Sequence, residues 1–290
     1  MQQIFANALI SGTQIALVAV SFSIIFRSAR FFHFAHAIAI TCGAYFIYHA
    51  LQLRLPLYFS AMVAIVLCVS LGISMDLAVY RPLRHLKASP EVLLLSSLGL
   101  YVVAQNLISL FAGDDVKVLR SGQIKEGMAI FSSRVTGVQL VSIIICALLI
   151  SATLILLKYS KIGLLIRATS DSKELASLAG IDCEKTLLLS FGFSSGLAGV
   201  SGILAALDVG MSPGMGMSAL LLGVIAAIIG GTSSIIGMIL GSLLLGVAQH
   251  FSAYYLSSQW QNGVVFIILL AFLLFCPQGF LGKKVKKLAV

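Results

Sequence analysis

"IFANALISGTQIALVAVSFSIIF", Ile4 to Phe26, contains no charged residue. Wound as an α-helix at ~1.5 Å per residue it covers ~34 Å, enough to cross a hydrocarbon core of ~30 Å. Apolar runs of similar character recur at about 34–53, 57–78, 92–111, 138–157, 186–207, 217–229, 234–251 and 263–276. A bilayer leaves no water for unpaired backbone groups, so spanning segments are helices or closed barrels, and the alternating ten-residue strands of a barrel are absent. The pattern predicts an all-α polytopic membrane protein, a single transmembrane domain over 1–290 with about eight transmembrane helices. The run at 217–229 is short, and Gly230-Gly231 interrupts it before the next begins. That region reads either as two helices or as one broken, re-entrant element, with the helix break at Gly230 and Gly231.

Composition agrees: 59% of the 290 residues are hydrophobic and 10% charged, against about a quarter charged in a soluble domain. The net charge of +9 invites a nucleic-acid reading, but its placement argues against one. Arg27, Arg30, Arg81, Arg84, Lys87, Lys158, Lys161, Arg167, Lys173, Lys185 and the tail lysines 283, 284, 286 and 287 all fall in short segments beside apolar runs. Alternating spans bring those segments to one side, the cytoplasmic side by the positive-inside rule. Met1 is then expected outside and Val290 inside. The opposite side keeps Arg54 and a long loop at about 112–137, where Lys117, Arg120, Lys125 and Arg134 are diluted by Asp114, Asp115 and Glu126. The leading residues lack the basic segment of a cleavable signal peptide. Five cysteines without a CxxC pair indicate neither a zinc site nor a disulfide framework.

Within the basic loop at about 158–185 lies "RATSDSKELASLAG", Arg167 to Gly180, which reads as a small water-exposed helix. Asp171 is placed to cap its first turn, with Glu174 completing a capping-box pattern. Leu175 and Leu178 share one face, and Gly180 stands where a helix is closed by a residue free to take positive φ.

Polar groups at membrane depth are few. Gln105 and Asn106 sit in the 92–111 run, where an unpaired amide is costly, so they either join helices or line a solute path. In "FFHFAHA", residues 31–37, His33 and His36 flank Phe34 one turn apart. Structural hydrogen bonding, path lining and metal binding are all open to such a pair, although no Cys, Asp or Glu nearby completes a metal site. The spans carry almost none of the ionisable residues that a proton- or sodium-driven carrier keeps there. No G-x-x-x-x-G-K-[ST] occurs, and no Ser/His/Asp or paired-carboxylate arrangement lies within the spans. No catalytic residues, metal or cofactor are expected in this chain.

Six segments, in order, carry a resemblance. "FHFAHA" with "GAY" (Gly43 to Tyr45), "YRPLR" (Tyr80 to Arg84), "LGLYVVAQN" (Leu98 to Asn106), "RATSDSKELASLAGID" (Arg167 to Asp182), "GGTSSIIGMILGSLLLG" (Gly230 to Gly246) and "PQGFLG" (Pro277 to Gly282) resemble blocks of the permease subunits of branched-chain amino acid ABC importers, the Liv type, and more closely their H-type member. The resemblance implies a multi-pass permease of a bacterial cytoplasmic (inner) membrane with a cytoplasmic C-terminus. It implies a second homologous permease of M type, two ATP-binding subunits that use ATP and Mg, and a periplasmic solute-binding protein, with no nucleic acid. The 167–180 segment becomes the coupling helix against the ATPase, involving Arg167, Asp171, Glu174, Leu175, Leu178 and Gly180. His33, Phe34, His36, Gln105 and Asn106 become candidates for the translocation path. His33 stands where the family usually has Asn and Ala37 where it has Gly, so urea or a short amide is the alternative solute. A stand-alone secondary carrier is the remaining rival.

Overall fold

The computed structural model describes residues 1–119, 127–130 and 133–281. Arg120, Lys125, Glu126, Gly282, the tail lysines and Val290 lie outside the described residues. Helices follow in the order α1 (Gln2–Ala29), α2 (His36–Gln52), α3 (Leu57–Met75), a π-helical segment (Asp76–Tyr80), α4 (Arg81–His85), α5 (Pro90–Ala112), α6 (Gly137–Tyr159), α7 (Lys161–Asp171), α8 (Lys173–Leu178), α9 (Cys183–Asp208), α10 (Met215–Gly230), α11 (Ile235–Tyr255) and α12 (Gln261–Phe275). Strands β1 (Met128–Ile130) and β2 (Ser133–Val135) pair antiparallel between α5 and α6. Gln3 exchanges two hydrogen bonds with the Arg134 backbone, tying this hairpin to the start of α1.

Among the described residues, seven helices are long and apolar enough to cross a membrane, with α10 a shorter apolar helix. α3, the π-segment and α4 form one such span, Leu57–His85. α2 has 17 residues and α10 has 16, about 24–26 Å at the helical rise. Both are short because they begin inside the protein. His36, first in α2, is hydrogen-bonded to Ser21, about 12 Å before the end of α1. The α10 start is held by the Gly216 N–H donating to Thr41 Oγ1 of α2. The Gly230–Gly231 alternatives resolve into a helical hairpin: Gly231, at φ +90°, ends α10, and α11 restarts after Ser234 caps it.

α1, α2 and α9 form the centre. α9 is 78% buried over its apolar window and α1 72%, whereas α5 and α12 are 17% and 6% buried at the periphery. Lipid tails are as apolar as leucine, so helices in a bilayer associate through close packing and polar bonds. Both devices are present. A Cβ added to Gly43 of α2 would overlap the Gly199 carbonyl of α9, and one on Gly230 would overlap the Gly237 backbone. Ser194 of α9 donates to the Ser21 carbonyl of α1, while the Ser21 hydroxyl meets His36 of α2.

Candidate functional site

Among the described residues, most of the basic side chains flank the helix ends on one side of the spans, where α7 and α8 also lie. One expectation needs correction here. Asp171 does not cap the small helix, and no Asp171/Glu174 capping box forms. Asp171 is the last residue of α7, a helix in its own right. Ser172, extended at φ −155° and ψ 119°, separates the two helices, and its hydroxyl accepts the Leu175 N–H at 3.3 Å. A cap must leave the helical conformation so that its oxygen can reach the amide three residues on; Ser172 does so, and Asp171 remains helical. Glu174 sits exposed in the first turn. At the other end the expectation holds. Gly180 takes φ +79°, its N–H donates to Ser177, and the Ile181 N–H donates to Ala176, the paired pattern that closes a helix through a left-handed residue.

α8 is seated on the body by Ala176, 4% exposed, while Leu175 and Leu178 stand at 68% and 83%. Arg30, which ends α1 with φ 60°, clamps the α7–α8 junction by donating to the carbonyls of Ser170 and Asp171 at 3.0 and 2.7 Å. Arg167 is exposed, with one guanidinium N–H reaching the Lys158 carbonyl. The Cys183 thiol reaches the Lys173 carbonyl at 3.6 Å, linking α8 to α9. Asp182 caps α9, and the Lys185 N–H and ammonium together hold its carboxyl below the usual range.

Beside α8 is an ionic cluster that the sequence alone does not bring together. Arg84 donates to Asp76 at 2.6 and 3.2 Å and to Glu184 at 3.1 and 2.6 Å. Asp76 is 1% exposed. Eight residues separate Asp76 from Arg84, a step that overshoots two turns of a regular helix by about 80°. The π-segment between them absorbs about one residue, so the step becomes nearly two full turns and both side chains share a face. A cleft of ≈ 600 Å³ opens next to this cluster, lined by residues from the end of α1, the α4–α5 turn, the α7–α8 junction and Glu184.

The candidate path residues are not brought together. His33 and His36 are sealed at 1% and 0% exposure. His33 Nδ1 and the Tyr80 hydroxyl are hydrogen-bonded at 3.0 Å, and His36 Nε2 bonds Ser21 at 3.0 Å. Phe31, Tyr80 and Phe191 pack around His33. Phe34 is half-buried and its N–H donates to Ser97 of α5. Gln105 is half-buried with Nε2 toward Gly214, ahead of α10. Asn106 is exposed and donates to the Val102 carbonyl of its own helix at 2.7 Å. Among the described residues no three His, Cys, Asp or Glu side chains come close enough to hold a metal ion.

A multi-pass helical body with a capped, leucine-bearing helix at its basic end defines a polytopic membrane protein. The comparisons specify which kind. A family described as "Branched-chain amino acid transport system / permease component" matches residues 4–274, and the chain belongs to that family. It is 32% identical to the high-affinity branched-chain amino acid transport system permease protein LivH of Escherichia coli, over 98% of this chain and 96% of that one. Identity to the corresponding permease BraD of Pseudomonas aeruginosa is 29%, with the same two coverages. Among solved structures, PsaBC from Streptococcus pneumoniae, in complex with Fab, shares the fold: TM-score 0.51 at 15% identity, covering 94% of this chain and 91% of that chain.

Proposed function

We propose that this chain forms half of the translocation path of an ATP-driven importer, carrying branched-chain or related amino acids delivered by a periplasmic binding protein. A second, M-type permease supplies the other half, and two ATP-binding subunits bind ATP and Mg and hydrolyse the nucleotide. The basic end faces the cytoplasm by the positive-inside rule, which puts the C-terminus there too. The observation that carries the reading is α8: two leucines held in water by a capped helix, in a chain of this family, need a protein partner to cover them. Arg167, Asp171, Glu174 and Gly180 frame that contact. The named solutes of the relatives favour amino acids over urea or a short amide.

Gln105 and Asn106 border the path in this reading, with Phe34 lining it at the Ser97 level of α5, while His33 and His36 brace it from behind. Reconstitution of the complete complex in proteoliposomes tests the function. ATP-dependent uptake of leucine, isoleucine or valine is expected, and uptake of urea alone would overturn the amino acid assignment. Gln105→Leu is expected to lower uptake or alter solute preference with assembly intact; unchanged kinetics would assign Gln105 to packing.

A further inference from the structure

A second protrusion stands at the same end as α8. α4 stops at His85, and the chain turns through Leu86, Lys87 and Ala88 before α5. Lys87 takes φ 55°, its N–H donates to the Arg84 carbonyl, and the Ala88 N–H donates to Leu83. This is the same closure that Gly180 makes, here formed by a lysine despite the steric cost of a Cβ in that region. At the crest Leu86 is 79% exposed, beside Arg81, His85 and Lys87.

The ≈ 600 Å³ cleft separates this turn from α8: Ala88 and Pro90 line one side, Ser172, Lys173 and Glu174 the other, with Arg30, Arg84 and Glu184 also lining it. Its cations are not equivalent. Arg84 is held by two carboxylates and Arg30 by two carbonyls. Lys173 is half-buried in the cleft yet makes no ion pair among the described residues. Burial, and then the Arg84 charge, push its ammonium below the ordinary value, with Glu184 acting the other way. Asp171, Glu174 and Glu184 line the same cleft, but none of them forms an ion pair with the Lys173 ammonium, which leaves its donors open to an incoming acceptor.

We propose that the Leu86 turn and this cleft are a second docking surface for the ATP-binding subunit, an acidic side chain of which enters the cleft to pair with Lys173. The inference rests on reading α8 as the coupling element and extends it. Leu86 and the α8 leucines are all exposed, and the cleft lies between the chain just after Leu86 and the start of α8. Two contacts flanking a cleft resist rotation of the partner, which a single six-residue helix does poorly.

A photo-reactive residue placed at Leu86, Leu178 or Leu53 in the assembled complex tests this. Leu53, 75% exposed at the opposite end, is the negative control. Covalent adducts with the ATP-binding subunit are expected from 86 and 178 and not from 53. An adduct from 178, with only lipid or nothing from 86, overturns the second surface and leaves the coupling reading intact. Absence of adducts at both positions overturns both. Lys173→Gln addresses the charge: retention of the ATP-binding subunit is expected to weaken about tenfold at low salt, with a flatter dependence on ionic strength. Unchanged retention and salt dependence would rule out the acidic partner.

Discussion

At its basic end the molecule holds Leu175 and Leu178 out in solvent, while the entry to α2 buries His33 and His36 completely. The exposed leucines reverse the usual preference of their residue type, and the sealed histidines stand at the buried extreme of an intermediate one. They differ in what sustains them. α8 is fixed by its neighbours in sequence: Ser172 caps it, Gly180 closes it and Ala176 anchors it. The histidines are fixed by residues from elsewhere, Tyr80 on the π-segment and Ser21 on α1. A locally determined element keeps its shape when its surroundings move, which suits a contact that must follow a moving partner. A tertiary network keeps its shape only while the core is intact, which suits a fixed support.

The comparison is broken most severely by charging the exposed leucines. Leu175→Asp or Leu178→Asp places a carboxylate where a partner would desolvate it, an uncompensated burial that costs several kcal/mol. Since both side chains point away from the body, insertion and expression are expected to remain normal. Retention of the ATP-binding subunit and ATP-driven uptake are expected to be lost. Co-purification with vesicle uptake measures both, and full binding with full transport in the two variants would remove α8 from coupling.

Next in size is Arg84→Gln, which leaves Asp76 buried without its cation. Loss of one partner of a buried pair costs about 3–5 kcal/mol, so a marked fall in the thermal unfolding midpoint is expected. Arg84→Lys keeps the charge but loses the fork that serves two carboxylates, and an intermediate midpoint is expected. If both variants match the parent, the cluster adds nothing to the body. Tyr80→Phe is smaller still. It removes one hydroxyl and leaves His33 Nδ1 unpaired, a loss of about 1–3 kcal/mol, expected as a lower unfolding midpoint with α8-dependent ATPase retention unchanged. A retention defect in Tyr80→Phe would mean that the two regions are coupled.

These differences also explain what was readable beforehand. Long uncharged runs such as Ile4 to Phe26 declare themselves, because the bilayer sets one length for all of them. Gly180 was legible because a left-handed closure has few alternatives. The early start of α2 was not, since nothing in residues 31–37 announces that Ser21 will hold His36 deep in the fold. The Arg84–Asp76–Glu184 cluster was hidden for two reasons: Glu184 lies a hundred positions from Arg84, and the Asp76–Arg84 spacing is offset by about 80° on a regular helix until a π-turn closes it. "SDSKE" misled differently. It offers several cap-capable side chains in a row, and pattern alone favours the Asp171/Glu174 spacing over Ser172.

That last ambiguity gives the smallest and most local prediction. The Ser172 hydroxyl accepts the Leu175 N–H, and the Asp171 carboxylate belongs to the preceding helix. Loss of a serine cap costs about 1 kcal/mol, and a helix of only six residues has little propagation energy to offset it. Ser172→Ala is therefore expected to fray the first turn of α8, seen as faster amide exchange at Leu175, with a modest drop in ATPase retention. Ser172→Asp restores an acceptor at the cap and is expected to recover both. Asp171→Ala should leave the Leu175 amide unchanged, because Arg30 grips the Asp171 carbonyl, which the substitution keeps. If Asp171→Ala rather than Ser172→Ala speeds exchange at Leu175, the cap lies one residue earlier, α7 and α8 break at a different joint, and the locally fixed character assigned to α8 would rest on the wrong side chain.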